Sequence, residues 1–367
     1  MLLKNKLMKT IHLYIFGIGN VGSTLIDQVL AAHSFFKEKH QLDLRIVGLA
    51  NSKRVLLNAK GVQTNWKANF ADLALPRQAD SFYNAALLHD EVRIAVDATA
   101  SKELSAFYPE LAQHGFHIVT ANKIANTLSQ TFYDELRNEL YVNNLSFEYE
   151  TNVGAGLPIV ATVRDLANSG DGITTINGVF SGSLGYIFNR FSQEETPISS
   201  IIKDALTQGY TEPDPREDLS GNDVARKLLV LARETGLKLD FDDIIIENLV
   251  TPALQQVDLQ TFLSEVQQLD EPFHKLRQNL APDEVLRHLG TLNVTTKQLT
   301  VSLQKVKKDS PAGQLTGSDG FFEIYSSSYK THPLVIKGAG AGREVTARGL
   351  LSDIIKVGNR SDLLVYK

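Results

Sequence analysis

IHLYIFGIGNVGSTLIDQVLAA, residues 11–32, is the stretch that decides the first half of the fold. Ile11 to Phe16 is a short β-branched and aromatic run, the composition of a strand. It passes directly into Gly17-Ile18-Gly19-Asn20-Val21-Gly22. Leu25, Ile26, Val29 and Leu30 then recur at helical spacing. Three glycines in this pattern carry little information alone, but between a strand and a helix they carry a mechanism. The first permits a tight turn, the second lets backbone approach a pyrophosphate, and the third lets helix and strand pack closely. The helix start then offers unbonded N–H groups and the positive end of its dipole to phosphate.

Working outward, further strands are expected at Leu44–Ala50, at Val92–Val96 and at Phe116–Thr120. The third runs into Asp97-Ala98-Thr99-Ala100-Ser101 and the fourth into Ala121-Asn122-Lys123. Helical segments lie between them, and this βαβα alternation predicts an α/β, Rossmann-type doubly wound parallel sheet covered on both faces. A site that prefers NAD places Asp or Glu at the end of the second strand, bound to the adenosine ribose. Here Ala50-Asn51-Ser52-Lys53-Arg54 stands there instead. A hydroxyl and two cations suit a 2′-phosphate, so NADP(H) is preferred, with NAD(H) left open.

The length of 367 residues suggests about two domains. Cysteine is absent, which excludes disulfides, thiolate metal sites and a thiol nucleophile. A formal net charge of −5 gives no basic footprint for nucleic acid. Lys53-Arg54 and Lys305-Lys307-Lys308 are the densest basic clusters, and both are short. No apolar run is long enough for a membrane helix, and the start lacks the apolar core and cleavage site of a secretory signal. A soluble, cytoplasmic protein is the expectation. Nine scattered histidines, with His114 and His117 lacking a third ligand, suggest packing rather than a metal.

After Glu150 the pattern changes to α+β. Gly154 to Pro158 is a tight loop, Ile159–Asn168 looks helical, and Ile176–Ser183 looks like a strand ending in a small-residue turn. Helical patterns at 219–234 and 257–280 alternate with a strand-like run at Leu299–Val306. Near the end come a strand at Leu334–Lys337, the loop Gly338-Ala-Gly-Ala-Gly342, and a helix over Val345–Val357. The segment GYTEPDPREDLSGNDVARK, residues 209–227, has two prolines flanked by acids and reads as a rigid exposed loop. A helix is expected from Ser220, with Ser220 and Asp223 spaced as a capping box and Asp223 and Lys227 on one face. That pair fits an ordinary ion pair, and equally a lysine proton donor oriented by acids. Spacing leaves both open.

The same segment, extended to GYTEPDPREDLSGNDVARKLLVLARETG, resembles the signature of the homoserine dehydrogenase family. Agreement continues in order through the glycine loop, Ala50–Lys53, Asp97–Ser101, Ala121–Asn126, Glu150–Pro158, Ser181–Phe188 and Gly338–Gly342. It spans essentially the whole chain and looks closest to the dehydrogenase half of bifunctional aspartokinase–homoserine dehydrogenases, with only about ten residues before the first strand.

The resemblance implies reversible reduction of L-aspartate 4-semialdehyde to L-homoserine with NADP(H). Lys227 matches the acid/base, Asp223 the residue that orients it, and Lys123 a further catalytic lysine beside the nicotinamide. Glu212 matches the residue that holds the substrate ammonium, with Tyr210, Asp218, Gly182 and Ser183 nearby. Cofactor contacts fall to Gly17, Gly19, Asn20, Val21, Gly22, Ser52, Lys53, Arg54, Thr99, Ala100, Ser101, Lys123 and Gly342. Glu150, with the carbonyls of Val153, Ala155 and Leu157, matches a monovalent-cation site, usually sodium. A homodimer is implied, formed through the second domain. The dinucleotide domain is then discontinuous, residues 1–147 and 332–367, around a catalytic and dimerisation domain at 148–331. Ala121, Ile124 and Glu217 depart from the family's usual proline, basic residue and aspartate. Aspartate-semialdehyde dehydrogenase, a rival for the same aldehyde, needs a cysteine that this chain lacks. A non-catalytic NADP-binding sensor is the other alternative.

Overall fold

The structure is a computed structural model, and it describes residues 8–77 and 92–360. The start of the chain, residues 1–7, lies outside them. Two compact units emerge: residues up to Gly156 with those from Gly342 onward, and Leu157–Ala341.

In the first unit the strands are β1 (Lys9–Phe16), β2 (Leu42–Ala50), β3 (Arg54–Leu57), β4 (Leu75–Pro76), β5 (Val92–Asp97), β6 (Phe116–Thr120) and β7 (Phe147–Glu148). They form one sheet in the order β4-β3-β2-β1-β5-β6-β7. The five strands from β2 to β7 in that order run parallel. β3 and β4 add an antiparallel edge, which the alternation did not announce. Ile11, Leu13 and Ile15 of β1 are fully buried, as are Ile94 and Val96 of β5. Helix Asn20–Ala31 covers them with Leu25, Ile26 and Val29, all fully buried. Each such side chain contributes about 1.5–3 kcal/mol by leaving water. Helix Arg343–Arg360, from the far end of the chain, joins the same core through Leu350, Ile354 and Val357.

The second unit holds β8 (Ile173–Val179), β9 (Ile245–Ile246), β10 (Glu284–Asn293), β11 (Gln298–Lys307), β12 (Gly320–Ser326) and β13 (Leu334–Gly338). Their order is β13-β12-β8-β10-β11-β9, antiparallel except where β9 meets β11. Helices Gly182–Gln193 and Asn222–Glu234 pack on β10. β13 corrects the sequence-based boundary at 331/332. It pairs with β12 from Gly320↔Gly338 to Ile324↔Leu334, so its ladder commits it to the second sheet. The helical pattern at 257–280 resolves into Leu259–Glu265, a tighter turn at Val266–Leu269 and Asp270–Gln278. Among the described residues, no helix is long and apolar enough to cross a membrane.

Candidate active site

β1 ends at Phe16, and Gly17 turns with φ of +90°, a conformation that side chains disfavour. A Cβ on Gly22 would lie 1.8 Å from the Gly17 carbonyl oxygen, so a glycine there is what lets the helix start close against the turn. A Cβ on Gly19 would meet nothing within 4 Å, so its backbone faces open space. That space is a cleft of about 430 Å³, bordered by Gly17, Ile18 and Gly19, by Asn51, Ser52 and Arg77, and by Thr99, Ser101 and Glu103. Glycines packed on the protein side and open on the other fit a dinucleotide pyrophosphate at the helix start. Asn20 and Val21 are the first residues of that helix.

The cations expected beside the ribose part company. Ser52 borders the cleft; Lys53 and Arg54 are not among the residues lining it. Arg54 sends Nε and Nη2 to the Ala74 carbonyl, at 3.0 and 2.6 Å, and Nη1 to that of Ala71 at 3.0 Å. Those contacts close the C-terminal end of helix Trp66–Leu73. Arg77, which sequence reasoning passed over, borders the cleft instead. It follows a two-residue strand with no local signature.

The loops after β5 and β6 are joined by a buried network. Asp97, 2% exposed, accepts from the Thr99 amide at 2.7 Å, the Tyr108 hydroxyl at 2.7 Å and Asn122 Nδ2 at 3.1 Å. Burial raises its carboxyl above the usual range, against the pull of these donors. Asn122 also donates to the Ser101 carbonyl at 2.9 Å, and its Oδ1 accepts from the Ile124 amide at 3.1 Å. Lys123 is therefore held between two anchored neighbours. Ala100 is the exposed tip of the first loop. Ala121 donates its amide to the Asp97 carbonyl at 2.9 Å, a bond that a proline at this position could not make. Asp97 was legible in the quoted motif, but its role as the hub was not.

Glu150 is 7% exposed and opens a turn at Glu150–Asn152 that continues to Val153. Ala155 sits at φ +54°, and Leu157 begins the second unit. Asp353 Oδ2 accepts from the Glu150 amide at 2.9 Å, and Lys356 Nζ lies 3.5 Å from Glu150 Oε2. Among the described residues, no group of three or more His, Asp or Glu side chains is arranged to hold a metal. A monovalent cation here would depend on one carboxylate and backbone carbonyls. Gly342 precedes helix Arg343–Arg360 with φ of +123°.

In the second unit, Ser181 caps helix Gly182–Gln193 by accepting from the Leu184 amide. Ser183 Oγ donates to Asp218 Oδ1 at 2.6 Å, and the Glu212 amide donates to Asp218 Oδ2 at 2.9 Å. Asp218 is shifted upward, chiefly by burial and further by the neighbouring Asp223 charge. Tyr210 stacks on Tyr186 with centroids 4.1 Å apart. Lys227 Nζ is held at 2.8 Å from Asp223 Oδ2 and 2.8 Å from the Phe180 carbonyl. Gly182, Ser183, Tyr210, Glu212, Asp218, Asp223 and Lys227 thus share the second unit, several of them in direct contact.

The local folding of this segment differs from expectation. Pro215–Leu219 is a short helix, with Pro215 at its first position and Asp214 as its cap, rather than a loop. The next helix begins at Asn222, after Gly221 at φ +74°, and no capping box forms at Ser220. Gly221 supplies a left-handed residue between two helices, which shifts the start by one turn's fraction while leaving Asp223 and Lys227 four apart.

The homoserine dehydrogenase family model matches residues 158–355, and the NAD-binding-domain model of the same family matches residues 17–150. The chain is 40% identical over 353 residues to bifunctional aspartokinase/homoserine dehydrogenase 1 of Zea mays, covering 95% of this chain and 38% of the maize protein. It spans about two fifths of the length of such curated relatives. A solved Candida auris protein of unknown function superposes with a TM-score of 0.89 at 32% identity, over 96% of this chain and 99% of that one. A hyperthermophilic archaeal homoserine dehydrogenase, solved with NADPH, shares the fold with a TM-score of 0.73 at 21% identity, over 96% and 98%. With both units matched in order, the chain belongs to the homoserine dehydrogenase family of NAD(P)-dependent oxidoreductases.

Proposed function

We propose that this chain interconverts L-aspartate 4-semialdehyde and L-homoserine with NADP(H), running toward the alcohol in threonine and methionine biosynthesis. The observation that carries the reading is Lys227, fixed by Asp223 and the Phe180 carbonyl with both bonds at 2.8 Å. A bound nicotinamide supplies or accepts the hydride. Lys227 donates a proton to the aldehyde oxygen in reduction and takes it back in oxidation. Asp223 keeps the ammonium aimed and compensates its charge. Glu212 accepts the substrate ammonium, while Asp218, Ser183 and Tyr210 shape the surrounding polar wall. Gly17, Gly19 and Gly22 would hold the pyrophosphate, and the family resemblance assigns Lys123 and Thr99 to the nicotinamide end. Rate enhancement comes from positioning and charge compensation.

A monovalent cation bound by Glu150 and the carbonyls of Val153, Ala155 and Leu157 would brace the turn that follows Glu150. Assembly as a homodimer through the second unit's sheet completes the proposal. The retention of Lys123, Glu212, Asp223 and Lys227 favours an enzyme over a nucleotide sensor. The test is appearance of NADPH absorbance when purified chain meets L-homoserine and NADP⁺. No reduction from neutral to alkaline pH would leave the sensor reading in its place.

A further inference from the structure

We propose that Arg77, rather than Lys53 or Arg54, is the cation that selects a nucleotide carrying an adenosine 2′-phosphate. The proposal rests on the nucleotide reading above and names the residue that decides its specificity. Three observations carry it. Arg54 makes three side-chain hydrogen bonds to the carbonyls of Ala71 and Ala74 and lies over the Phe70 ring, 5.9 Å from its centroid. Turning it toward a ligand would leave those carbonyls without a donor, a cost comparable to the bond gained. Lys53 does not border the cleft.

Asn51 occupies the position where a carboxylate would accept ribose hydroxyls. Its Oδ1 already accepts from the amides of Lys53 and Arg54, at 2.9 and 2.7 Å. The turn it closes therefore offers no anionic partner to an unphosphorylated ribose. Arg77 borders the cleft on this same side, tethered by its amide to the Lys53 carbonyl at 2.9 Å. Its guanidinium lies over the Phe16 ring, 5.7 Å from the centroid, and among the described residues makes one side-chain hydrogen bond, to the Asn51 carbonyl at 3.3 Å. A guanidinium held over an aromatic face is partly pre-oriented, and its fork matches phosphate geometry. Glu103, the acid bordering the cleft, follows β5, on the opposite side of β1 from β2. Its charge therefore belongs to the other end of a nucleotide laid across the glycine loop.

The test compares binding of adenosine 2′,5′-bisphosphate and AMP to the full chain by titration calorimetry. The unmodified chain should prefer the bisphosphate by about tenfold or more, the strength of a charge-assisted phosphate contact. Arg77→Gln should lose most of that preference while AMP affinity changes little, and Arg77→Lys should restore part of it. Lys53→Gln should keep the preference. A matching kinetic arm should show KM for NADP⁺ rising about tenfold in Arg77→Gln, with KM for NAD⁺ unchanged. Equal binding of the two ligands by the unmodified chain, a preference that survives Arg77→Gln, or one that vanishes in Lys53→Gln would overturn the proposal. If binding follows Arg77 but homoserine reduces no cofactor, the catalytic reading alone fails. If NADP⁺ is reduced and the ligand ratio ignores Arg77, the present inference alone fails.

Discussion

Lys227 donates to Asp223 and to the Phe180 carbonyl, so its ammonium is held without needing a ligand to order it. On the proposed reading Lys227→Ala should keep nucleotide affinity and lose most of kcat, about 10²–10⁴-fold, the loss expected for removing a proton donor. Rapid-quench or steady-state rates beside a binding titration check this, and an unchanged kcat would remove Lys227 from the chemistry. His288 supplies a pH prediction. It is 3% exposed, neither ring nitrogen has a hydrogen-bond partner among the described residues, and burial lowers its pKa to about 4. The unfolded chain takes up this proton near pH 6.5 while the folded chain does not, so stability is full above that pH. The contribution of His288 falls as pH drops from about 6.5 toward 4, by about 2 kcal/mol at pH 5. Urea unfolding at pH 7 and pH 5 should show the slope, and His288→Leu should remove about half of it, the remainder belonging to His117. An equally steep slope in the variant would assign the loss to other groups, His117 first among them, since its pKa is also lowered to about 4.

The element that matters most is the strand–turn–helix unit at Phe16–Ala31, whose two later glycines fail in opposite ways. Gly22→Ala places a methyl 1.8 Å from the Gly17 carbonyl oxygen and forces the helix off the strand. Overpacking of this kind costs about 1–3 kcal/mol, read as a lower urea midpoint with unchanged m-value. Gly19→Ala meets no protein atom within 4 Å, so its stability should hold. Its methyl would instead stand in the cleft, and affinity for the dinucleotide should fall. Stability loss in Gly19→Ala equal to that of Gly22→Ala would contradict the division. In the second unit the Gly221 turn plays the analogous part, ending one helix and starting the next so that Asp223 and Lys227 face the same side.

For the molecule, the discontinuity of the first unit has a direct consequence. Leu350, Ile354 and Val357 arrive from the far end of the chain into the core of β1 and Asn20–Ala31. A chain ending at Ala341 should lose these fully buried side chains, worth several kcal/mol together, and with them cooperative unfolding of the nucleotide-binding unit. Retained dinucleotide affinity in that truncation would refute the dependence. Local features were legible in the residues alone: the strand at Phe116–Thr120, the glycine turn and the i,i+4 spacing of Asp223 and Lys227 need only a few neighbours to be specified. Periodicity and backbone sterics act over that same short range. Tertiary structure alone decided that β13 pairs with β12, that Asp97 joins two loops through Asn122, and that Arg54 closes a helix while Arg77 borders the cleft. Each of these depends on partners brought together across the chain by packing, and which guanidinium meets which carbonyl is settled by distance in space, not by position along the sequence.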